Sequence, residues 1–261
     1  MSIPKTIAHL DLDSFFVEVE RLHDDRLRAV PVLVGGTGSR GVVASCSYEA
    51  RRFGIHSAMP MRTALRLCPE AVVIRGDSSR YSYYSDIITE IIREDVPLFE
   101  KTSIDEFYTD LTGMDRFFGC YKLTSELRAK IVKETGLPIS FGLSINKTVA
   151  KVATGEAKPN NRLEVPRGEE KPFLAPLPVR KIPMVGEKTA HLLRRMGVRH
   201  IHTLQKMPVE VMDKALGKNG RQIWNKAQGN DPAPIEPYQE RKSISQERTF
   251  QQDTTDAQKL E

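Results

Sequence analysis

The stretch Thr6-Ile7-Ala8-His9-Leu10-Asp11-Leu12-Asp13 runs straight into Ser14-Phe15-Phe16-Val17-Glu18-Val19-Glu20-Arg21-Leu22, and the change of period between the two halves decides the fold. An apolar run closed by two acids predicts a strand, whereas Phe15, Val19 and Leu22 recur at helical spacing. Two carboxylates therefore stand at a strand-to-helix junction. Strand signals follow at residues 31–34 and 41–44 and helical ones at 48–53 and 61–67, punctuated by glycine and proline, as in a small subdomain inserted after the first strand. Strands at 71–75, 99–102, 107–111 and 139–145 then alternate with helices at 80–94 and 115–135. This order predicts an α+β fold built on a split-βαβ, ferredoxin-like sheet.

The remaining text sets the limits. With 261 residues, 39% hydrophobic and 28% charged, the chain can bury more than one core and reads neither as a disordered tail nor as a fibre. Its apolar runs are far shorter than a membrane span requires, and no apolar signal core opens it, so a cytoplasmic protein without a membrane partner is expected. Cys46, Cys68 and Cys120 form no Cys-x-x-Cys pair, which argues against a disulfide framework and a structural zinc site. After Pro166 strand signals stop and short helices run to Gly229, which places a domain boundary near Arg167. The net charge is +5, yet residues 171–230 alone carry +9, leaving −4 for the rest. A basic segment on a slightly acidic protein suits a phosphate backbone, with a solvated helical surface as the lesser alternative. His200 and His202 lack a third ligand and are expected to be exposed, and Trp224 to be core.

Asp11 and Asp13 have counterparts 94 residues further on, the adjacent Asp105 and Glu106 of Ser103-Ile104-Asp105-Glu106. If the first strand lies beside the hairpin that bears Asp105, three carboxylates converge and repel one another unless divalent cations neutralise them. Oxygen-only ligands favour Mg²⁺ or Mn²⁺ over zinc, and two such ions about 3.5–4 Å apart can activate a hydroxyl and hold a leaving phosphate oxygen. By spacing alone, each aspartate is more often a cap or turn residue than a metal ligand.

Four stretches in order carry a resemblance. Asp11-Leu12-Asp13-Ser14-Phe15-Phe16 and Ser103-Ile104-Asp105-Glu106 resemble the two acidic motifs of the Y-family translesion DNA polymerases, of the bacterial DNA polymerase IV type. Tyr48-Glu49-Ala50-Arg51-Arg52-Phe53-Gly54 is similar to that family's fingers motif, and Asn146-Lys147 through Ala157-Lys158-Pro159-Asn160 to its late palm motif. The resemblance implies a palm (1–14 and 76–166), fingers (15–75), an all-helical thumb (167–230), a linker (231–241) and, at 242–261, the start of a truncated little-finger domain. It further implies that Asp11, Asp105, Glu106 and the Leu12 carbonyl bind two Mg²⁺ ions, with Asp13 fixing the turn. Phe16 would be a steric gate against a ribose 2′-OH. Ser45, Tyr48, Arg51 and Lys158 would contact the triphosphate, and Val42 and Ala58 would roof the templating base.

Ile182-Pro183-Met184-Val185-Gly186-Glu187-Lys188-Thr189-Ala190 looks like a helix-hairpin-helix whose Gly186 and Lys188 would meet a DNA phosphate, although Met184 stands where the hairpin's first glycine is usual. The implied activity is template-directed addition of deoxynucleotides to a primer 3′-OH, at low fidelity and without proofreading, in DNA damage tolerance. Its partners would be primer-template DNA and deoxynucleoside triphosphates, acting on a monomer, with the sliding clamp bound by longer members rather than through this chain. A nucleotidyl cyclase shares the sheet and paired carboxylates, but the basic hairpin-bearing segment argues against it. A catalytically inert DNA-binding protein of the same fold is the other alternative.

Overall fold

The computed structural model describes residues 5–38, 40–114 and 119–237, together with Ser243, Ser245 and Thr255. In chain order, β1 (Ile7–Leu12) is followed by α1 (Phe15–His23), β2 (Val32–Gly35), β3 (Val43–Cys46), α2 (Tyr48–Arg51), α3 (Met61–Leu67) and β4 (Val72–Ile74). Next come α4 (Ser78–Asp95), β5 (Phe99–Lys101), β6 (Glu106–Asp110), α5 (Cys120–Thr135), β7 (Ile139–Ser144), α6 (Lys147–Ala157) and β8 (Arg162–Glu164). Four helices complete the order: α7 (Glu170–Leu174), α8 (Glu187–Arg195), α9 (Ile201–Lys206) and α10 (Val209–Ala227). These elements form two compact units, residues 5–13 with 85–237, and residues 14–84.

In the first unit five strands lie in the order β5-β6-β1-β7-β8. The first four are antiparallel neighbours in the ferredoxin-like order, and β8 adds in parallel on β7. Because side chains alternate across a strand, β1 presents two different faces. Leu10 and Leu12 join Phe107, Ile139 and Phe141 in the core, where α5 packs on β7. His9 and Asp11 lie on the other face with Glu106, Tyr108, Ser140 and Gly142, their cross-strand partners. Helix α6 covers that face. It starts at Asn146, whose side chain caps the helix by accepting from Val149 N at 3.0 Å. It seats backbone against backbone: a Cβ on Gly142 would stand 2.2 Å from Ala150 O and 2.5 Å from Thr154 N.

The sequence reading contained neither α6 nor β8, and its helix at 115–135 is seen from Cys120 onward, residues 115–118 lying outside the described set. Helices α7 to α10 share one core with α6: Val149, Val152 and Ala153 pack with Leu174, Leu193, Leu204, Met212 and Ile223. Trp224 packs against this core and donates to Met207 O at 2.8 Å. Helix α10 is longer than a short-helix reading allows and kinks at Gly217, whose φ is 59°. Residues 231–237 have no regular structure, as expected of an extended segment, but they are fastened. Asp231 accepts from Thr148 and Lys226 at 2.6 Å each, Glu236 N donates to Glu100 at 2.8 Å, and Ile235 is buried with Ile7, Tyr108 and Ala150. The segment 242–261 lies outside the described residues apart from three positions.

The second unit holds a three-stranded sheet, β3-β2-β4, with β2 antiparallel to β3 and parallel to β4. Its core comprises Leu33, Val43, Cys46, Ala50, Ile55, Met61, Ala64 and Cys68. Two of the cysteines thus serve as small apolar core residues, and all three are buried. Among the described residues no helix is long and apolar enough to cross a membrane.

The seat of α6 on β7 gives the first prediction. Gly142→Ala puts a methyl into backbone atoms that have no flexible end to yield, so it is expected to cost about 3 kcal/mol or more. Urea unfolding of the variant measures this, and a loss below about 1 kcal/mol would show that α6 is not pinned there.

Candidate active site

Strand register brings the acidic residues to one end of the sheet. Asp11 pairs with Glu106 across the antiparallel ladder, and Leu12 N donates to Asp105 O at 3.1 Å, so the backbone of Asp105 adjoins that pair. Asp105 belongs to the turn between β5 and β6. Ser103 organises that turn, since its Oγ donates to Asp105 Oδ1 at 2.7 Å and accepts from Glu106 N at 3.1 Å.

Two lysines answer these charges. Lys158 Nζ lies 2.5 Å from Asp11 Oδ1 and 3.2 Å from Leu12 O, while Lys151 Nζ takes both Glu106 oxygens at 2.8 and 2.6 Å. Lys147, Lys151, Thr154 and Lys158 form one stripe along α6 and its C-cap. Each meets a residue of the sheet face: Lys147 lies over the Tyr108 ring at 4.9 Å, and Thr154 Oγ1 is 2.9 Å from His9 Nδ1. Burial of His9 beside Lys151 and Lys158 holds its imidazole well below the usual range, hence neutral. Burial is also the leading influence on Asp11, whose carboxyl is pushed up to about 7. Glu106 and Asp105 add to the rise, and Lys158 opposes it.

Asp13 does more than shape a turn. It is buried, accepts from Ser140 Oγ and Asn160 N at 2.8 Å each, and lies 3.7 Å from Lys158 Nζ. Arg128 donates to Asn160 O at 2.9 Å, so the loop that carries Lys158 is held from both sides. Sequence reading missed Lys151. The signal was present in the 4-3-4 spacing of residues 147, 151, 154 and 158, but it has meaning only once α6 is known to face the acids.

The remaining predicted residues lie in the second unit or on the helices after β8. Phe16 stacks on Tyr81, with ring centroids 4.2 Å apart and planes at 10°. Tyr81 in turn donates to Glu20 Oε1 at 2.7 Å, and Arg80 binds the other oxygen of Glu20 at 2.8 Å. Burial and that carboxylate push the Tyr81 phenol up, keeping it a donor. Arg51 is exposed, donates through Nε to Cys46 O at 3.3 Å and lies over the Tyr48 ring at 4.7 Å. Ser45 is half-buried on β3. Val42 and Ala58 are brought close by a bridge between Val42 and Pro60 and by donation from Ala58 N to Val43 O at 2.8 Å.

Gly186 caps the N-terminus of α8 with an open flank, next to the exposed Lys188. Met184 takes φ 80°, the left-handed conformation that the glycine usual at this position would adopt freely, and its side chain is exposed. His200 and His202 are exposed and stacked on one another.

A family described as impB/mucB/samB matches residues 10–155, and a thumb domain described for DNA polymerase-iota matches residues 180–231. The chain is 42% identical over 263 residues to a DNA polymerase IV of Dehalococcoides mccartyi (strain CBDB1), covering 100% of this chain and 67% of that relative. It is 42% identical over 251 residues to the DNA polymerase IV of Alkalilimnicola ehrlichii, covering 95% of this chain and 71% of the relative. It thus spans about two thirds of the length of such relatives. A crystal structure of DinB from Sulfolobus solfataricus superposes with a TM-score of 0.82 at 26% identity, covering 88% of this chain and 69% of that one. An insertion ternary complex of Dbh DNA polymerase does so at 0.81 and 26%, with the same coverage. Sheet order, acidic register, helical module and whole-chain similarity agree: the chain belongs to the impB/mucB/samB family, the Y-family of translesion DNA polymerases.

Proposed function

We propose that this chain is a template-directed DNA polymerase that adds deoxynucleotides to a primer 3′-OH. The observation that carries the reading is the register of Asp11 against Glu106, with Asp105 in the adjoining turn, within a chain of this family. Three carboxylates and the Leu12 carbonyl form an all-oxygen donor set suited to hard divalent cations, so Asp11, Leu12, Asp105 and Glu106 would hold two Mg²⁺ ions, or Mn²⁺. When bound, such ions lower the charge on the reacting phosphate and favour ionisation of the attacking hydroxyl. As the residues stand, no three of His, Cys, Asp or Glu among the described residues are gathered closely enough to hold a cation.

The other roles follow from side-chain chemistry. Lys158, Arg51, Tyr48 and Ser45 offer a point charge, a planar fork and two hydroxyls to a triphosphate. The Phe16 ring, backed by Tyr81, is rigid enough to exclude a ribose 2′-OH. Val42 and Ala58 are small enough to leave room above a distorted templating base. Gly186 and Lys188 present backbone N–H groups and a charge to a DNA phosphate. The helical module with its hairpin favours a polymerase over a cyclase, and we place the protein in the cytoplasm with the DNA it would copy.

Primer extension with Mg²⁺ and four deoxynucleotides tests the reading. Asp105→Asn should lower incorporation by about a thousandfold or more while urea unfolding stays within about 1 kcal/mol of wild type, because a ligand rather than a core residue is lost. Unimpaired extension would sink the site. Phe16→Ala should raise ribonucleotide over deoxynucleotide incorporation by about a hundredfold or more, a steric clash being worth several factors of ten. A proportional loss of both activities would instead make the ring structural.

The raised Asp11 pKa carries a pH dependence. Below about 7 the carboxyl keeps its proton and is a poor ligand, so Mn²⁺ affinity should climb from about pH 6 to about pH 8, by at most about tenfold per pH unit below the pKa. Without metal the sign for stability is opposite. The folded chain holds a proton that the unfolded chain releases at its ordinary value, so this group's contribution falls as pH rises from about 4 to about 7. Mn²⁺ titration across the series checks the first effect, and a flat profile would contradict it.

A further inference from the structure

We infer that Lys151 is a placeholder cation: in the free protein its ammonium occupies Glu106, which an incoming divalent ion must take, so metal loading is an exchange of lysine for metal. The inference rests on the reading of the carboxylates as an ion site, and nothing in that reading gives Lys151 a role. Both oxygens of Glu106 are engaged by the same Nζ, at 2.8 and 2.6 Å. Lys158 holds Asp11 Oδ1 and the Leu12 carbonyl in the same way. Near pH 8, with Asp11 ionised, two ammonium groups on three carboxylates leave the cluster a single net negative charge. The pairing stabilises the apo sheet end, and the small residual charge attracts a divalent cation weakly.

An ion bonded to a Glu106 oxygen at the usual distance of about 2.1 Å would stand within a few ångströms of Nζ, and two cations that close repel strongly. Lys151 must therefore leave. It is well placed to do so, because its side chain is 36% exposed where that of Lys158 is 18% exposed, and a lysine stem reaches water by rotation of its own bonds. Lys158, the more buried of the two, needs another anion before it gives up Asp11. A triphosphate supplies one, so nucleotide and metal should each strengthen the binding of the other. Lys151 is thus a positioning residue. It keeps Glu106 aimed into the site while the site is empty, at the expense of metal affinity in the absence of nucleotide.

The test is Mn²⁺ binding to the whole chain, followed by electron paramagnetic resonance at a fixed pH near 8, with thermal melts of every variant. Lys151→Met should bind Mn²⁺ about tenfold more tightly than wild type in the absence of nucleotide, with a smaller gain in affinity on adding deoxynucleoside triphosphate. Lys151→Arg, which keeps the charge, should stay near wild type. Lys130→Met, which removes a lysine bound to Glu94 and Asp95 elsewhere, should have no effect. If Lys151→Met lowers the melt too far to be read, Lys151→Gln, whose amide still donates to Glu106 without charge, carries the comparison. Unchanged or weaker Mn²⁺ binding by a folded Lys151→Met or Lys151→Gln protein would overturn the placeholder. Failure of the underlying site has a separate signature: Asp105→Asn would then bind Mn²⁺ as wild type does, and the placeholder would fall with it.

Discussion

The burial of Asp11 beside Glu106 and Asp105 is the constraint to which the rest of the first unit answers. The antiparallel register of β1 and β6 sets Asp11 opposite Glu106, and the half-buried setting raises the Asp11 pKa to about 7. Carboxylates so arranged need positive charge nearby, and the chain supplies it from a single helix. Lys151 and Lys158 reach the acids because α6 lies flat on the sheet, and α6 lies flat because Gly142 leaves no Cβ between the two backbones. One glycine, three turns of helix and two lysines thus form a connected electrostatic arrangement, and a change in any of them alters the acids.

Both ends of α6 are fixed. At its N-terminus Asn146 caps the helix and donates to Gly229 O at 2.8 Å, Thr148 binds Asp231, and Lys147 joins Glu100 at 2.6 Å. Despite its burial, Asp231 is held below the usual carboxylate range by Lys226 and Thr148. At its C-terminus Asp13 and Arg128 hold the loop of Lys158 and Asn160. The segment following α10 is therefore a strap across the start of α6 rather than a free tether. Helices α7 to α10 join the sheet through a shared apolar core, in which each fully buried leucine contributes about 1.5–3 kcal/mol. This joins the basic helical module to the element that carries the two lysines.

A similar economy holds in the second unit. Phe16 would be mobile as a half-buried ring on a short helix, but Tyr81 stacks beneath it, and Glu20 with Arg80 fixes Tyr81. Glu20 lies one turn along α1 from Phe16, so the helix that presents the ring also carries the anchor for its support. A buried carboxylate is tolerable there because a phenol and a guanidinium both donate to it.

The sequence by itself determined the elements whose period is strong, namely β1, α1, the strands on either side of the 103–106 turn, β7 and the change to helices after Pro166. It also located the acids, since Asp11, Asp105 and Glu106 fall where apolar runs break, and ordered motifs carried the family. What it did not contain was α6. Residues 147–157 are rich in alanine, threonine and lysine, their apolar face points at two layers at once, and a helix apolar on two sides has no single stripe to read. For the same reason nothing along the chain sets Lys151 apart from its neighbours, and Asp13 reads as a turn residue. Pairing of charges is a property of distance in space, and the distances 2.5–2.8 Å that join Lys158 to Asp11 and Lys151 to Glu106 exist only after β1, β6 and β7 have set their register and Gly142 has admitted the helix. Local sequence fixes period and chemistry because those depend on neighbours along the chain. Tertiary structure alone decided which charge faces which, because residues 45 and 147 positions apart meet only through the packed sheet.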